Sequence, residues 1–281
     1  MADTDLVITR HSEVGAVLAD ERFVVPAAGG GAPPGSLAWL RGAVCRFSEG
    51  AEHERRLRVV TKALEEADPA VLRRRARERV LAGEEPDLAP IAALGEALRV
   101  TDLDALIGAV PLAASGYLTG TGRDGADAAV ATLARLLGPG PDEEVANRIA
   151  VFTQACDATA ALVGNVLPLS RRPEAQGCPI EAVIAETLRY DPPIPAMRRV
   201  AREEAAFQGR RIAAGTTVTL DLRAANRDPA VFAEPDRFDP ARGEPPHLTF
   251  GTGRRPCPGA DQAVQLAAGV VEALNELETV R

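Results

Sequence analysis

Ten residues near the C-terminal end, Phe250-Gly251-Thr252-Gly253-Arg254-Arg255-Pro256-Cys257-Pro258-Gly259, constrain this chain more than any other stretch. They set one cysteine in a loop rich in glycine and proline, with two arginines beside it, just before an apolar-periodic helix. Glycine lets a backbone come close to a large flat ligand. The helix that follows offers its positive N-terminal end to a thiolate, and the arginines add positive charge. Such a loop suits a cysteine sulfur held deprotonated as a metal ligand. The competing reading is a buried cysteine that happens to follow a turn.

The other cysteines, Cys45, Cys156 and Cys178, match no zinc spacing, and no Cys-x-x-Cys occurs. With no signal-peptide pattern at the N-terminus, the expected compartment is the reducing cytoplasm. A net charge of -8 argues against sequence-independent nucleic-acid binding. The arginine runs at 55–58 and 73–79 read as solvated helix faces. With 46% hydrophobic and 26% charged residues the chain has the makings of an ordinary core. The stretch 149–170 holds a single charge, Asp157, but also Thr153, Gln154, Thr159, Asn165 and many alanines. It reads as a buried core helix rather than a membrane span, so no membrane partner is expected.

Periodicity predicts a short strand at 6–9, a helix at 13–19 and a loop at 26–36. Helical, arginine-rich pattern follows over 52–82, with Pro69 opening a second helix. Residues 83–142 predict short helices broken at Pro86, Pro90, 120–125 and 138–141. A long helix over 143–167 ends at Pro168 and Pro173, and another spans 180–190. Residues 207–222 read as a hairpin, 223–242 as loop and 260–277 as a final helix. The chain is thus mainly α with a small β module. No repeat or clean linker appears, so one domain is expected.

Upstream of the cysteine loop lie Glu186-Thr187-Leu188-Arg189, an i,i+3 pair on one helix face, and then Pro235-Asp236-Arg237-Phe238. The order E-x-x-R, P-x-R-F and F-G-x-G-x-R-x-C-x-G resembles the bacterial, soluble type of the cytochrome P450 family. The resemblance implies a truncated P450 fold as a single domain over 1–281. The part that holds haem is about 144–281, and a reduced substrate roof lies at about 83–143. It makes Cys257 the axial thiolate of haem b, in a loop with Phe250, Gly251 and Gly259. Glu186, Arg189 and Arg237 become a buried three-way charge network bracing that loop. Arg199, His247, Arg255 and His53 fall where the family binds the haem propionates. The family's arginine four residues after that histidine is Leu57 here, so Arg56 or Arg58 would substitute. His11 matches nothing and reads as surface.

Within the long helix, alignment on Leu162-Val163-Gly164-Asn165 puts the family's acid–alcohol pair on Asp157 and Ala158. The acid is kept as a lone carboxylate in an apolar helix, a functional candidate by default. The alcohol, which in the family assists proton delivery during oxygen activation, is missing. Thr159 follows one residue later, about 100° round the helix. Ala155 replaces the usual groove glycine. The chain is also short for the family. The first helix and strand before Leu6 are absent by spacing, the roof between Gly120 and Glu143 is reduced, and only 24 residues (281 − 257) follow Cys257.

The resemblance implies a haem-dependent monooxygenase acting on a small organic substrate in specialised metabolism, fed by a ferredoxin-type donor. A carrier protein or a second subunit would complete the shortened pocket. The alternatives are redox-neutral cyclisation, dehydration or rearrangement on the same haem, and a non-catalytic P450-like partner protein.

Overall fold

A computed structural model of the chain describes residues 6–140, 142–243 and 245–279. In order the elements are β1 (Leu6–Ile8), α1 (His11–Ala19), β2 (Phe23–Val24), α2 (Leu37–Ala43), α3 (Gly50–Glu65), α4 (Pro69–Leu81), α5 (Ala89–Ala97), α6 (Leu103–Tyr117) and α7 (Ala126–Leu137). Then come α8 (Asp142–Ser170), α9 (Ile180–Tyr190), β3 (Ala196–Ala201), β4 (Ala205–Phe207), β5 (Arg210–Ile212), β6 (Thr217–Asp221), the short α10 (Leu222–Ala225) and α11 (Ala260–Thr279). The chain separates into two compact units. A sheet unit comprises 6–26 and 168–257, and a helical unit comprises 27–167 and 258–279.

The sheet unit is built on four strands in the order β1-β6-β3-β2, with β1 parallel to β6 and the other pairs antiparallel. Along β6 the buried residues alternate, Val218 and Leu220 inward against half-buried Thr217, Thr219 and Asp221. That is the period-2 pattern of a strand with one covered face. These two join Ile8, Val14, Val17, Leu18, Phe23, Leu222 and Leu248 in one apolar cluster. The stretch expected as one hairpin divides. β4 and β5 close around Gln208-Gly209 as a separate two-stranded sheet. The Gly215 amide then donates to the Ala201 carbonyl at 2.7 Å, which returns the chain to the end of β3 and lets β6 pair there. β3 itself went unread in the sequence because four prolines, at 192, 193, 195 and 179, dominate the pattern before it.

In the helical unit α4 lays Leu72, Ala76 and Val80 inward, and α11 presents Leu266, Ala267, Val270 and Val271. A Cβ at Gly269 would run into the Arg73 carbonyl, so α11 crosses the α4 backbone at glycine distance. The arginines of α4 face carboxylates: Arg73 pairs with Glu272, Arg77 with Glu276, and Arg75 and Arg79 with Glu96 of α5. The basic run is therefore neutralised within the protein. Pro90 opens α5 in its first turn rather than breaking it, where its missing N–H costs nothing. Pro168 lies inside the last turn of α8, which runs on to Ser170. Among the described residues α8 is the one helix long and apolar enough to cross a membrane, and 56% of its most apolar window is buried in the protein.

Candidate functional site

In the sheet unit the cysteine loop is shaped by its glycines. Gly251 and Gly253 sit at φ +71° and +66°, the left-handed region that suits glycine. A Cβ on Gly251 would stand 3.1 Å from the Arg255 carbonyl oxygen, because the loop folds back on itself there. One on Gly253 would stand 3.0 Å from both the Leu18 oxygen and the Ala19 Cα at the end of α1. The Cys257 amide donates to the Phe250 carbonyl at 2.7 Å and closes the turn. Cys257 is exposed, and none of the four cysteines is in a disulfide. Exposure is unusual for a cysteine that merely fills a core, and it fits a loop built to present sulfur.

Behind the loop is a buried polar network. Arg189 and Glu186 are both fully buried and form a two-pronged ion pair, Nε to Oε2 at 2.8 Å and Nη2 to Oε1 at 2.7 Å. Arg189 also donates to the carbonyls of Asn226 at 3.1 Å, Pro235 at 2.7 Å and Arg237 at 2.9 Å. All five of its N–H groups are thereby used. The expected third cation is corrected here. Arg237 contributes its carbonyl, while its guanidinium, 58% exposed, pairs with Glu234 three residues back. The second positive charge comes from Arg242, whose Nε lies 3.5 Å from Glu186. A carbonyl can satisfy Arg189 without adding a second buried charge, which burial makes costly.

The network reaches the loop through residues that sequence reading passed over. Asn226 is fully buried. Its Oδ1 accepts from the Leu248 amide at 2.7 Å, and its Nδ2 donates to the Thr249 hydroxyl at 2.9 Å. Thr249 donates in turn to the Leu188 carbonyl at 2.6 Å. The two residues just before Phe250 are so tied to α9. The one signal available was a polar pair, Asn226 and Asp228, in a segment read as plain loop.

His247 is mostly buried, its ring 5.8 Å from that of Phe250, and its Nδ1 has no hydrogen-bond partner among the described residues. Burial pushes its pKa down to about 4, so the ring is neutral. The Met197 methyl of β3 lies on the Gly251 side of the loop, 3.9 Å from where a Cβ on that glycine would stand. Arg199, two residues further along β3, shares that strand face by the period-2 rule, is buried and donates to the Arg198 carbonyl at 2.9 Å. Arg255 is half-buried in the loop. Cys257, Phe250, Gly251, His247, Arg255 and Arg199 thus belong to one unit.

The remaining candidates lie in the helical unit. His53 of α3 is half-buried and bonds the Cys45 carbonyl through Nδ1 at 2.9 Å. A carbonyl only accepts, so Nδ1 carries the proton. Arg56 cannot stand in for the arginine missing at Leu57. Its three nitrogens are engaged by Glu143, Glu52 and the Val44 carbonyl, and Arg58 is exposed. Glu143, gripped by Arg55 and Arg56, has its carboxyl held down to about 2. Asp157 does not fulfil the expectation of a buried lone charge: it is exposed. Thr159, by contrast, is 1% exposed. Two residues along a helix turn about 200°, so the two point to opposite sides and share no face. Burial and its Asp157 neighbour push the Cys156 thiol up to about 12, which makes it inert. At Gly259 a Cβ would meet Leu64 at an ordinary 3.6 Å, so packing does not demand glycine there.

The family model described as Cytochrome P450 matches residues 180–266. The chain is 42% identical over 99 residues to the "Biotin biosynthesis cytochrome P450" of Bacillus subtilis (strain 168), covering 35% of this chain and 24% of that protein. It is 36% identical over 107 residues to the "Linalool 8-monooxygenase" of Pseudomonas putida, covering 38% and 25%. The matched stretch is therefore about a quarter of each of these curated relatives. Among solved structures, P450BioI in complex with a hexadec-9Z-enoic acid-ligated acyl carrier protein matches with a TM-score of 0.72 at 24% identity, over 97% of this chain and 84% of that one.

Proposed function

From a chain that belongs to the cytochrome P450 family, we propose an enzyme that holds haem b on the Cys257 thiolate and monooxygenates a small organic substrate. The observation that carries the reading is the loop itself, with an exposed Cys257 on a turn closed by the Phe250 carbonyl and two left-handed glycines. The residues around it fit the group. His247 keeps a buried Nδ1 without a partner among the described residues, which a carboxylate would satisfy. Arg199 adds a cation from β3, and charge-assisted bonds to carboxylates are the stronger kind. Phe250 and Met197 give apolar surface beside the loop. Bound haem supplies the redox chemistry, which thiolate donation tunes toward O–O cleavage.

The chain's own part is to present the sulfur, hold the propionates with His247, Arg199 and Arg255, and manage protons; His53, in the helical unit, is a propionate ligand on the family resemblance alone. Asp157, exposed on α8, is the group available to relay a proton. Thr159 is not, because it is packed away. That observation favours one second reading, redox-neutral cyclisation, dehydration or rearrangement, in which no proton relay for oxygen is needed. A non-catalytic partner protein is less favoured, since the cysteine loop is intact. The substrate is proposed to be a specialised metabolite, the setting the cytoplasm and the electron donor a ferredoxin-type protein. Carrier-protein delivery is a further proposal, supported by the acyl carrier protein bound to one structural relative.

The test is the absorption spectrum of reduced protein under carbon monoxide. A red-shifted Soret band that Cys257→Ala abolishes supports thiolate-held haem. A chain that stays colourless after haem addition refutes it. Product formation without reductant or oxidant selects the second reading over monooxygenation.

A further inference from the structure

We infer that α1 is a splint for the cysteine loop, gripping it at two points, and that His11 is the positioning residue at the first of them. The His11 ring donates from Nε2 to the Pro246 carbonyl at 2.7 Å, one residue before His247. Seven residues on, at the other end of the same helix, the Leu18 carbonyl accepts from the Arg254 amide at 3.4 Å. Gly253 lies against the Leu18 and Ala19 backbone there. Helix α1 therefore holds the segment from Pro246 to Arg254 from both ends. A nine-residue helix is a stiff rod of about 13 Å, so the segment's span is set by a rigid element rather than by the loop.

His11 is also seated at the polar network. Its ring meets Phe232 edge-on at 5.8 Å, and Phe232 lies 5.4 Å from the Arg189 guanidinium. Its backbone amide donates to Asp228 at 3.0 Å, so the helix start stays anchored whatever the side chain is. Asp228, buried and held by the amides of Ala230 and His11 and by Arg10, has its carboxyl lowered below the usual range. The sequence gives no hint of this, because His11 and the loop are separated by 235 positions. The side chain expected at the surface instead joins the first helix to the approach to Cys257.

The mechanical inference stands on the geometry, and its functional half rests on the haem reading. Both are tested on the purified full chain by amide hydrogen exchange, without and with added haem, for wild type, His11→Ala and His11→Gln. Loss of one such hydrogen bond predicts about threefold to tenfold faster exchange at the Gly251 and Cys257 amides, both hydrogen-bonded within the loop, in His11→Ala. The amides of α9 keep their rates, and His11→Gln, which retains a donor, recovers most of the protection. Unchanged loop exchange overturns the splint, and so does an equal speeding of α9. In haem-loaded protein the thiolate-type carbon monoxide band falls in His11→Ala and returns in His11→Gln. A band fraction unmoved by His11→Ala overturns the functional half. If wild type shows no such band, the haem reading fails, and exchange on the haem-free chain still decides the splint.

Discussion

The two units use charge in opposite ways. In the sheet unit Arg189 and Glu186 are both 0% exposed and every Arg189 donor is spent on a carbonyl or carboxylate. In the helical unit the comparable pair, Arg73 with Glu272, is 27% and 32% exposed and joins two helices at their surface. A buried charge has no water to fall back on, so losing its partner strands it; a surface charge is simply rehydrated. The unit that presents Cys257 is therefore specified by a few irreplaceable polar contacts. The other has, among the described residues, one buried cation, Arg56, whose carboxylate partners stay partly exposed, and joins α4 to α11 by apolar packing with ion pairs at the surface.

The contrast is sharpest at Arg189. Arg189→Ala takes away the two-pronged partner of buried Glu186 and leaves it Arg242 at 3.5 Å and the Asp239 amide, and denaturant unfolding is expected to lose about 3–5 kcal/mol. A loss under about 1 kcal/mol would erase the distinction between the units. The next largest effect is a pH dependence. His247 is neutral when folded, with a pKa of about 4 against the ordinary 6.5 of the unfolded chain. The unfolded state then binds the extra proton first, so stability falls as pH drops from about 6.5 toward 4 and levels off below. The expected loss is up to about 3 kcal/mol, and His247→Gln flattens it. An anionic partner on Nδ1 would raise that pKa, so haem loading should shrink the acid loss; an identical profile with and without haem counts against propionate binding there.

Asn226→Ala strands the Leu248 amide and is expected to cost about 1–3 kcal/mol, measured by the same unfolding, with faster exchange confined to 248–250. The smallest effect belongs to the helical unit. Glu272→Gln should change stability by less than about 1 kcal/mol, and high salt should erase even that. A larger cost would mean that the arginine face of α4 is structural in the same sense as Arg189.

How much of this was legible in advance differs by unit as well. In the helical unit α3, α4 and α11 followed their periodicity while α2 went unread and Pro90 opens a helix it was expected to break; Ile180–Tyr190 came out as read, because a core-facing stripe is a local signal. The glycine pattern of the cysteine loop was equally local. β3 was not, because a strand's pairing partner lies elsewhere in the chain. Nor were Asn226, Arg242 and His11, whose roles exist only once distant segments meet. Arg237 shows the limit well: the residue was in the right place, but its carbonyl does the work its side chain was expected to do. Thr159 was expected to point away from the missing alcohol's position, and its burial opposite an exposed Asp157 agrees, whereas the exposure of Asp157 was not legible from its apolar neighbours.

The parallel pairing of β1 with β6 has a consequence for synthesis. Leu6 finds its partner in Val218, and Ile8 in Leu220. Strand β1 leaves the ribosome early yet cannot complete its sheet until residue 220 has emerged. Through most of translation that apolar strand and the inner face of α1 remain open edges, the kind other chains pair with. The two strands are far apart in sequence, which slows closure of the sheet. The sheet that carries β3 beside the cysteine loop therefore closes only after both β1 and β6 have been synthesised.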